Sequence, residues 1–122
     1  MPGKKKILVV DDEPQVCDSI AMLLTFAGYE VVTAGSGQEA LAKFAQDKFD
    51  LVTTDYLMSE MNGADLALAV KALAPAQPVI MITAHGDMLK TSGVSLAGVD
   101  QMVSKPFQLA DLREAIQKVL IR

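Results

Sequence analysis

One cysteine in 122 residues, Cys17, excludes an internal disulfide and any cysteine-based zinc site. No apolar run approaches the roughly 20 residues needed to cross a bilayer. The opening MPGKKKILVV sets basic residues before an apolar stretch, but DDE at 11–13 ends that stretch far short of a signal-peptide core, so a cytoplasmic protein is expected. Basic residues are also scarce: 11 Lys and Arg face 15 Asp and Glu, for a net charge of −4. That balance argues against direct nucleic-acid binding, which needs clustered cations. The only basic cluster, Lys4-Lys5-Lys6, reads as a solvated lead-in to a strand. Repeats, low-complexity segments and Pro/Gly/Ser linkers are absent as well. The length suits one domain, 1–122, with its core over 6–121.

What the chain does have is alternation. Short apolar runs, ILVV (7–10), EVVTA (30–34), LVTT (51–54), VIMI (79–82) and QMVS (101–104), are separated by segments of helical period. Val16, Ile20, Leu23, Leu24 and Ala27 mark a first helix stopped at Gly28, with Cys17 beside the stripe as a small buried residue. Ser36-Gly37-Gln38-Glu39 is a capping box opening a second helix that packs through Ala40, Leu41 and Phe44. Asn62-Gly63 leads into a third, with Leu66, Val70 and Leu73 on one face and Pro75 beyond its end. Leu112, Ile116, Val119 and Leu120 mark the last. The fourth, over roughly 86–97, carries Thr91-Ser92-Gly93-Val94-Ser95 and is expected to be frayed or irregular. Continuous apolar strands alternating with helices indicate a parallel sheet covered on both faces, a doubly wound α/β fold of five strands and five helices.

In such a sheet ligands bind outside the carboxyl ends of the strands. The first strand runs into Asp11-Asp12-Glu13, the third into Asp55, the fourth into Thr83-Ala84 and the fifth into Lys105-Pro106. Taken singly, each is ordinary: a strand-end Asp or Thr is usually a cap, and a lone Lys is usually solvated. Four polar strand ends on one edge are not ordinary. Asp11, Asp12 and Asp55 gathered together would repel, and one would be driven to protonate unless a cation intervened. An all-oxygen set suits Mg²⁺ or Mn²⁺. With Lys105, the Thr83 hydroxyl and backbone N–H groups, that cation would cradle a phosphoryl group. Asp55, alone on the middle strand, is the better nucleophile for an acyl phosphate, and the Asp11/Asp12 pair the better metal site.

VVDDE, LVTTD followed by MNG, ITA and SKPF, in this order and spacing from Asp11 to Phe107, resemble the receiver (CheY-like) domain of two-component response regulators. The resemblance implies a flavodoxin-like strand order 2-1-3-4-5. It implies that Asp55 accepts a phosphoryl group from a phosphohistidine on a sensor histidine kinase or histidine phosphotransfer protein. Asp12 would ligate Mg²⁺ directly, Asp11 mainly through water, and the Leu57 carbonyl would be a further ligand beside Asp55. Thr83 would swing toward the phosphoryl group, the Ala84 N–H would bond to it and Lys105 would pair with it. A cis Lys105–Pro106 bond would aim the lysine inward.

Several positions depart from the family pattern. MSEMNG stands in place of MPGMDG, so Ser59 replaces a proline and Glu60 a glycine. Met102 stands where the family carries Tyr or Phe as the residue that moves with the threonine. A thioether fills a vacated space but brings no ring or hydroxyl. Leu57 and His85 occupy the positions that tune hydrolysis of the acyl phosphate. Leu57 should exclude water, and His85 reads either as a solvated loop side chain or as a group that orients or blocks the attacking water.

The implied function is a phosphorylation-operated switch, not a turnover enzyme, relayed through the fourth helix, fifth strand and fifth helix to an effector protein or output domain. A monomer is expected, with dimerisation on phosphorylation as a variant. Alternative readings are a degenerate receiver that binds partners without phosphorylation, an aspartyl-phosphate phosphatase, and an FMN protein. The D-x-D spacing of such phosphatases is missing, and an acidic pair after the first strand would repel a flavin phosphate.

Overall fold

Residues 4–120 are described by the computed structural model; the expected end of the core at residue 121 lies outside them. In chain order the elements are β1 (Lys6–Val10), α1 (Pro14–Phe26), β2 (Glu30–Ala34), α2 (Gly37–Gln46), β3 (Leu51–Thr54), α3 (Gly63–Leu73), β4 (Val79–Thr83), α4 (Gly86–Thr91), β5 (Gln101–Ser104) and α5 (Leu109–Leu120). All strand pairs are parallel, in the order β2-β1-β3-β4-β5. The doubly wound, flavodoxin-like sheet expected from the sequence is the fold.

The run ILVV is continuous because both faces of β1 are covered. Ile7 and Val9 pack with Cys17, Ile20 and Leu24 of α1 and Leu112 and Ile116 of α5. Leu8 and Val10 point the other way, onto Ala40 of α2 and Leu66, Ala67 and Val70 of α3. Every one of these strand side chains is fully buried, each worth about 1.5–3 kcal/mol. A third cluster joins Ala64, Met81 and Leu89 beneath α4, with Tyr56 and Met102 packed against it.

The structure corrects several details. Cys17 lies on the buried stripe of α1 itself, not beside it. Leu73, in the final residue of α3, is exposed, and Ala64 and Ala67 take the inner positions instead. Lys6 is not a solvated lead-in: it opens β1, and its ammonium pairs with Asp47 and Glu30. The fourth helix is irregular as expected, with six helical residues and no regular structure from Ser92 to Asp100.

The capping box is half right. Ser36 Oγ accepts from the Glu39 N–H at 3.0 Å, but Glu39 Oε1 accepts from Gly35, one residue before the cap, at 2.9 Å. That bond, followed by the Lys43 ammonium, holds the Glu39 carboxyl below its ordinary value. Ser36→Ala should lower unfolding free energy by about 1 kcal/mol in urea titration, with unchanged m-value. An unchanged midpoint would show that Glu39 alone secures this helix start.

Candidate functional site

Parallel pairing fixes which residues emerge together. Val10 lies beside Thr54, and Thr83 beside Ser104, so the residues that follow leave the sheet at one edge. Asp11, Asp55 and Thr83 are buried there. Lys105 reaches in from the end of β5, its Nζ donating to Asp55 Oδ2 at 3.1 Å and Asp11 Oδ2 at 3.3 Å. The Lys105–Pro106 peptide is cis.

Asp55 is held by its neighbours on every side. Its N–H donates to the Val10 carbonyl at 3.2 Å, which carries the β1–β3 ladder one step past the strand. Its Oδ1 accepts from the Tyr56 N–H at 2.7 Å. The Thr54 hydroxyl donates to the Asp55 carbonyl at 2.9 Å, a contact for which the apolar strand pattern holds no signal. Gly63 donates to the Tyr56 carbonyl at 2.8 Å and brings the start of α3 directly against this turn.

Burial pushes the Asp11 carboxyl above its ordinary value. The Glu13 N–H, at 3.0 Å from Oδ1, and the Lys105 ammonium pull it back, while the Asp55 charge pushes it further up. For Lys105, burial disfavours the ammonium, but Asp11 and Asp55 together outweigh it and raise its pKa. One cation is thus shared between two buried carboxylates.

The third acid does not join them. Asp12 Oδ2 instead accepts from the Ser59 N–H at 3.1 Å and faces its hydroxyl at 3.5 Å, across the β3–α3 loop. Among the described residues no three Asp, Glu, His or Cys side chains are gathered closely enough to hold a metal. Lys105 lies between Asp11 and Asp55 and offsets their mutual repulsion, while Asp12 faces the β3–α3 loop. The donors that remain within reach of one another along the chain are hard oxygens, the chemistry that Mg²⁺ or Mn²⁺ accepts. The Cys17 thiol faces the Val9 and Ala34 carbonyls.

Thr83 Oγ1 accepts from the His85 N–H at 3.1 Å, so its hydroxyl is engaged within its own loop. Ala84 is exposed, His85 half-buried, and the Leu57 side chain half in solvent. Met102 pairs in register with Met81, and its sulfur lies against Gly86 at the start of α4.

A model of the response regulator receiver domain matches residues 7–117. The chain belongs to the response regulator receiver domain family. Receiver domains act in two-component systems as phosphorylation-based switches. Among solved structures, a receiver domain protein from Clostridium thermocellum superposes with a TM-score of 0.88 and 35% identity, covering 97% of this chain and 95% of that one. The response regulator TrrA from Thermotoga maritima, in complex with Mg²⁺–BeF, gives 0.87 and 35%, covering 95% and 99%. The transcriptional regulatory protein GlrR of Escherichia coli is 38% identical over 114 residues, 93% of this chain and 26% of GlrR. The probable transcriptional regulator ycf27 of Cyanophora paradoxa is 39% identical over 121 residues, 98% of this chain and 50% of ycf27. This receiver domain thus spans between a quarter and half the length of these curated relatives. No helix among its described residues is long and apolar enough to cross a membrane.

Proposed function

We propose that this receiver domain is a switch thrown by phosphorylation of Asp55. The observation that carries the reading is the Lys105 ammonium set between Asp55 and Asp11 at the carboxyl edge of the sheet, 3.1 and 3.3 Å from their oxygens, beside the buried Thr83 hydroxyl. An Asp55 oxygen attacks the phosphorus of a partner's phosphohistidine, the P–N bond breaks, and the imidazole leaves with its electron pair. The product is an acyl phosphate on Asp55. A Mg²⁺ or Mn²⁺ ion held by Asp11, Asp12, Asp55 and the Leu57 carbonyl would neutralise charge building on the phosphoryl oxygens.

The chain's own groups do the rest. Lys105 stays charged and pairs with the phosphoryl oxygens, while the Ala84 N–H donates to them. Thr83 leaves the His85 N–H and turns its hydroxyl to the same group, opening space under α4. Met102, lying between Met81 and Gly86, follows into that space and moves α4 relative to β5. A groove of about 350 Å³ between β5 and α5, lined by Gln101, Met102, Ser104, Glu114 and Lys118, lies on the face that would present the change to an effector or output domain. Leu57 and His85 limit access of water to the acyl phosphate. The donor is a histidine kinase or phosphotransfer protein in the cytoplasm, and the domain acts as a monomer without touching nucleic acid or membrane itself.

The test is incubation with Mg²⁺ and acetyl phosphate followed by intact-mass analysis. One added phosphoryl group is expected in the wild type and none in Asp55→Asn. An adduct that persists in Asp55→Asn would place the acceptor elsewhere, and no adduct from any donor would leave a partner-binding scaffold as the reading.

A further inference from the structure

We propose that Ser59 is a latch on Asp12. Its backbone N–H keeps that carboxylate out of the Asp11–Asp55 pair until a divalent cation draws it in, so that cation binding and the position of the β3–α3 loop form one equilibrium. The inference rests on the reading of this edge as a cation-assisted phosphoryl acceptor, and it concerns a residue which that reading does not use.

The latch is a contact between segments 47 residues apart. Ser59 N–H and Oγ both face a single oxygen, Asp12 Oδ2, at 3.1 and 3.5 Å. The loop that carries Ser59 is fastened on its other side to α2. Gln38 Nε2 donates to Glu60 Oε2 at 3.0 Å, and Met61 packs against Gly37 so closely that a Cβ there would lie 2.7 Å from its sulfur. Within the loop, the Met61 N–H donates to the Ser59 carbonyl at 2.7 Å. Between these two anchors Glu60 adopts φ +70°, in the left-handed region that side chains disfavour. The Met61 N–H to Ser59 carbonyl bond closes a three-residue turn that sets this φ, and the contacts of Ser59 with Asp12 and of Glu60 with Gln38 pin the turn on either side.

The consequence follows from carboxylate chemistry. An N–H donating to a carboxylate oxygen makes a charge-assisted bond, and that oxygen is then less available to a cation. Bringing Oδ2 to a cation shared with Asp11 and Asp55 takes that oxygen away from Ser59, which frees the loop. By linkage, whatever stabilises the latched loop weakens cation binding, and the cation loosens the loop to the same degree. Ser59 is thus a positioning residue that acts through Asp12. Because the donor is the backbone N–H, only substitution by proline removes it, whereas alanine retains it.

The experiment uses MgCl₂ alone, without a phosphoryl donor, on the wild type, Ser59→Pro and Ser59→Ala, with affinity from calorimetry and amide exchange followed by NMR. Ser59→Pro should bind Mg²⁺ about tenfold tighter, equivalent to about 1.4 kcal/mol, and Ser59→Ala should bind like the wild type. In the wild type the Ser59 amide should be protected without Mg²⁺ and lose protection at saturation. A Ser59 amide that stays protected in the saturated wild type overturns the latch, whatever the proline variant does. So does a folded Ser59→Pro that binds no more tightly. If no chain binds Mg²⁺ at all, the latch and the cation site fall together, while the mass test for the Asp55 adduct still reads the acceptor on its own.

Discussion

Gly63→Ala is expected to lower the unfolding free energy by about 3 kcal/mol or more and to strip the domain of most of its phosphoryl uptake. A Cβ at Gly63 would collide with the Asp55 carbonyl oxygen, and would lie 2.9 Å from the Asp55 carbonyl carbon and 3.1 Å from Tyr56 Cα. These are backbone atoms of the turn at Asp55, so no side chain can swing aside to make room. Either α3 retreats and gives up the packing of Ala64, Leu66 and Ala67, or Asp55 shifts and loses its fit to Lys105. Gly93→Ala is the control. Gly93 also has a positive φ, +80°, but nothing lies within 4 Å of its Cβ position, so only the backbone preference of about 1 kcal/mol is lost. Chemical denaturation of both variants, with adduct formation measured on the folded fraction, decides the matter. A Gly63→Ala domain as stable and as readily modified as Gly93→Ala would refute the steric argument.

Lys105→Ala is expected to cost about 3 kcal/mol in the presence of chelator, and to lose much less at saturating Mg²⁺. Removing the ammonium leaves Asp11 and Asp55 buried and facing each other without a cation. Since Lys105 and a divalent cation compete for the same two carboxylates, the variant should also bind Mg²⁺ more tightly than the wild type. The pH dependence follows from the direction of the Asp11 shift. A carboxyl raised in the fold contributes stability that is fully present below its unfolded pKa and is lost as pH rises through its folded one. The chelator-treated variant should therefore regain stability on acidification toward the carboxylate range, by protonating Asp11. Equal stability of variant and wild type in chelator at neutral pH would show that water alone satisfies both acids.

Much of the fold was legible in the chain. Strand runs such as ILVV and VIMI are apolar throughout because both faces of the sheet are covered, and that pattern survives any detail of packing. The acidic, hydroxyl and basic strand ends were legible for the same reason: parallel strands deliver their carboxyl ends to one edge. Leu73 was misplaced because helical period says nothing about where the neighbouring surface ends, and the last residue of α3 has none to cover it. The direction taken by the Asp12 carboxylate was not legible, because its partner, the Ser59 N–H, lies 47 residues away on another loop.

The sequence by itself determined the doubly wound sheet, the edge where chemistry gathers and the residue types brought there, because hydrophobic period and strand-end position are local properties. Only the tertiary structure decided how charge is shared at that edge. Lys105 bridges Asp11 and Asp55, the Ser59 N–H donates to Asp12, and Gly63 lets α3 approach the turn at Asp55. Each of these depends on distances of about 3 Å between atoms far apart in the chain, and no local pattern encodes a distance of that kind.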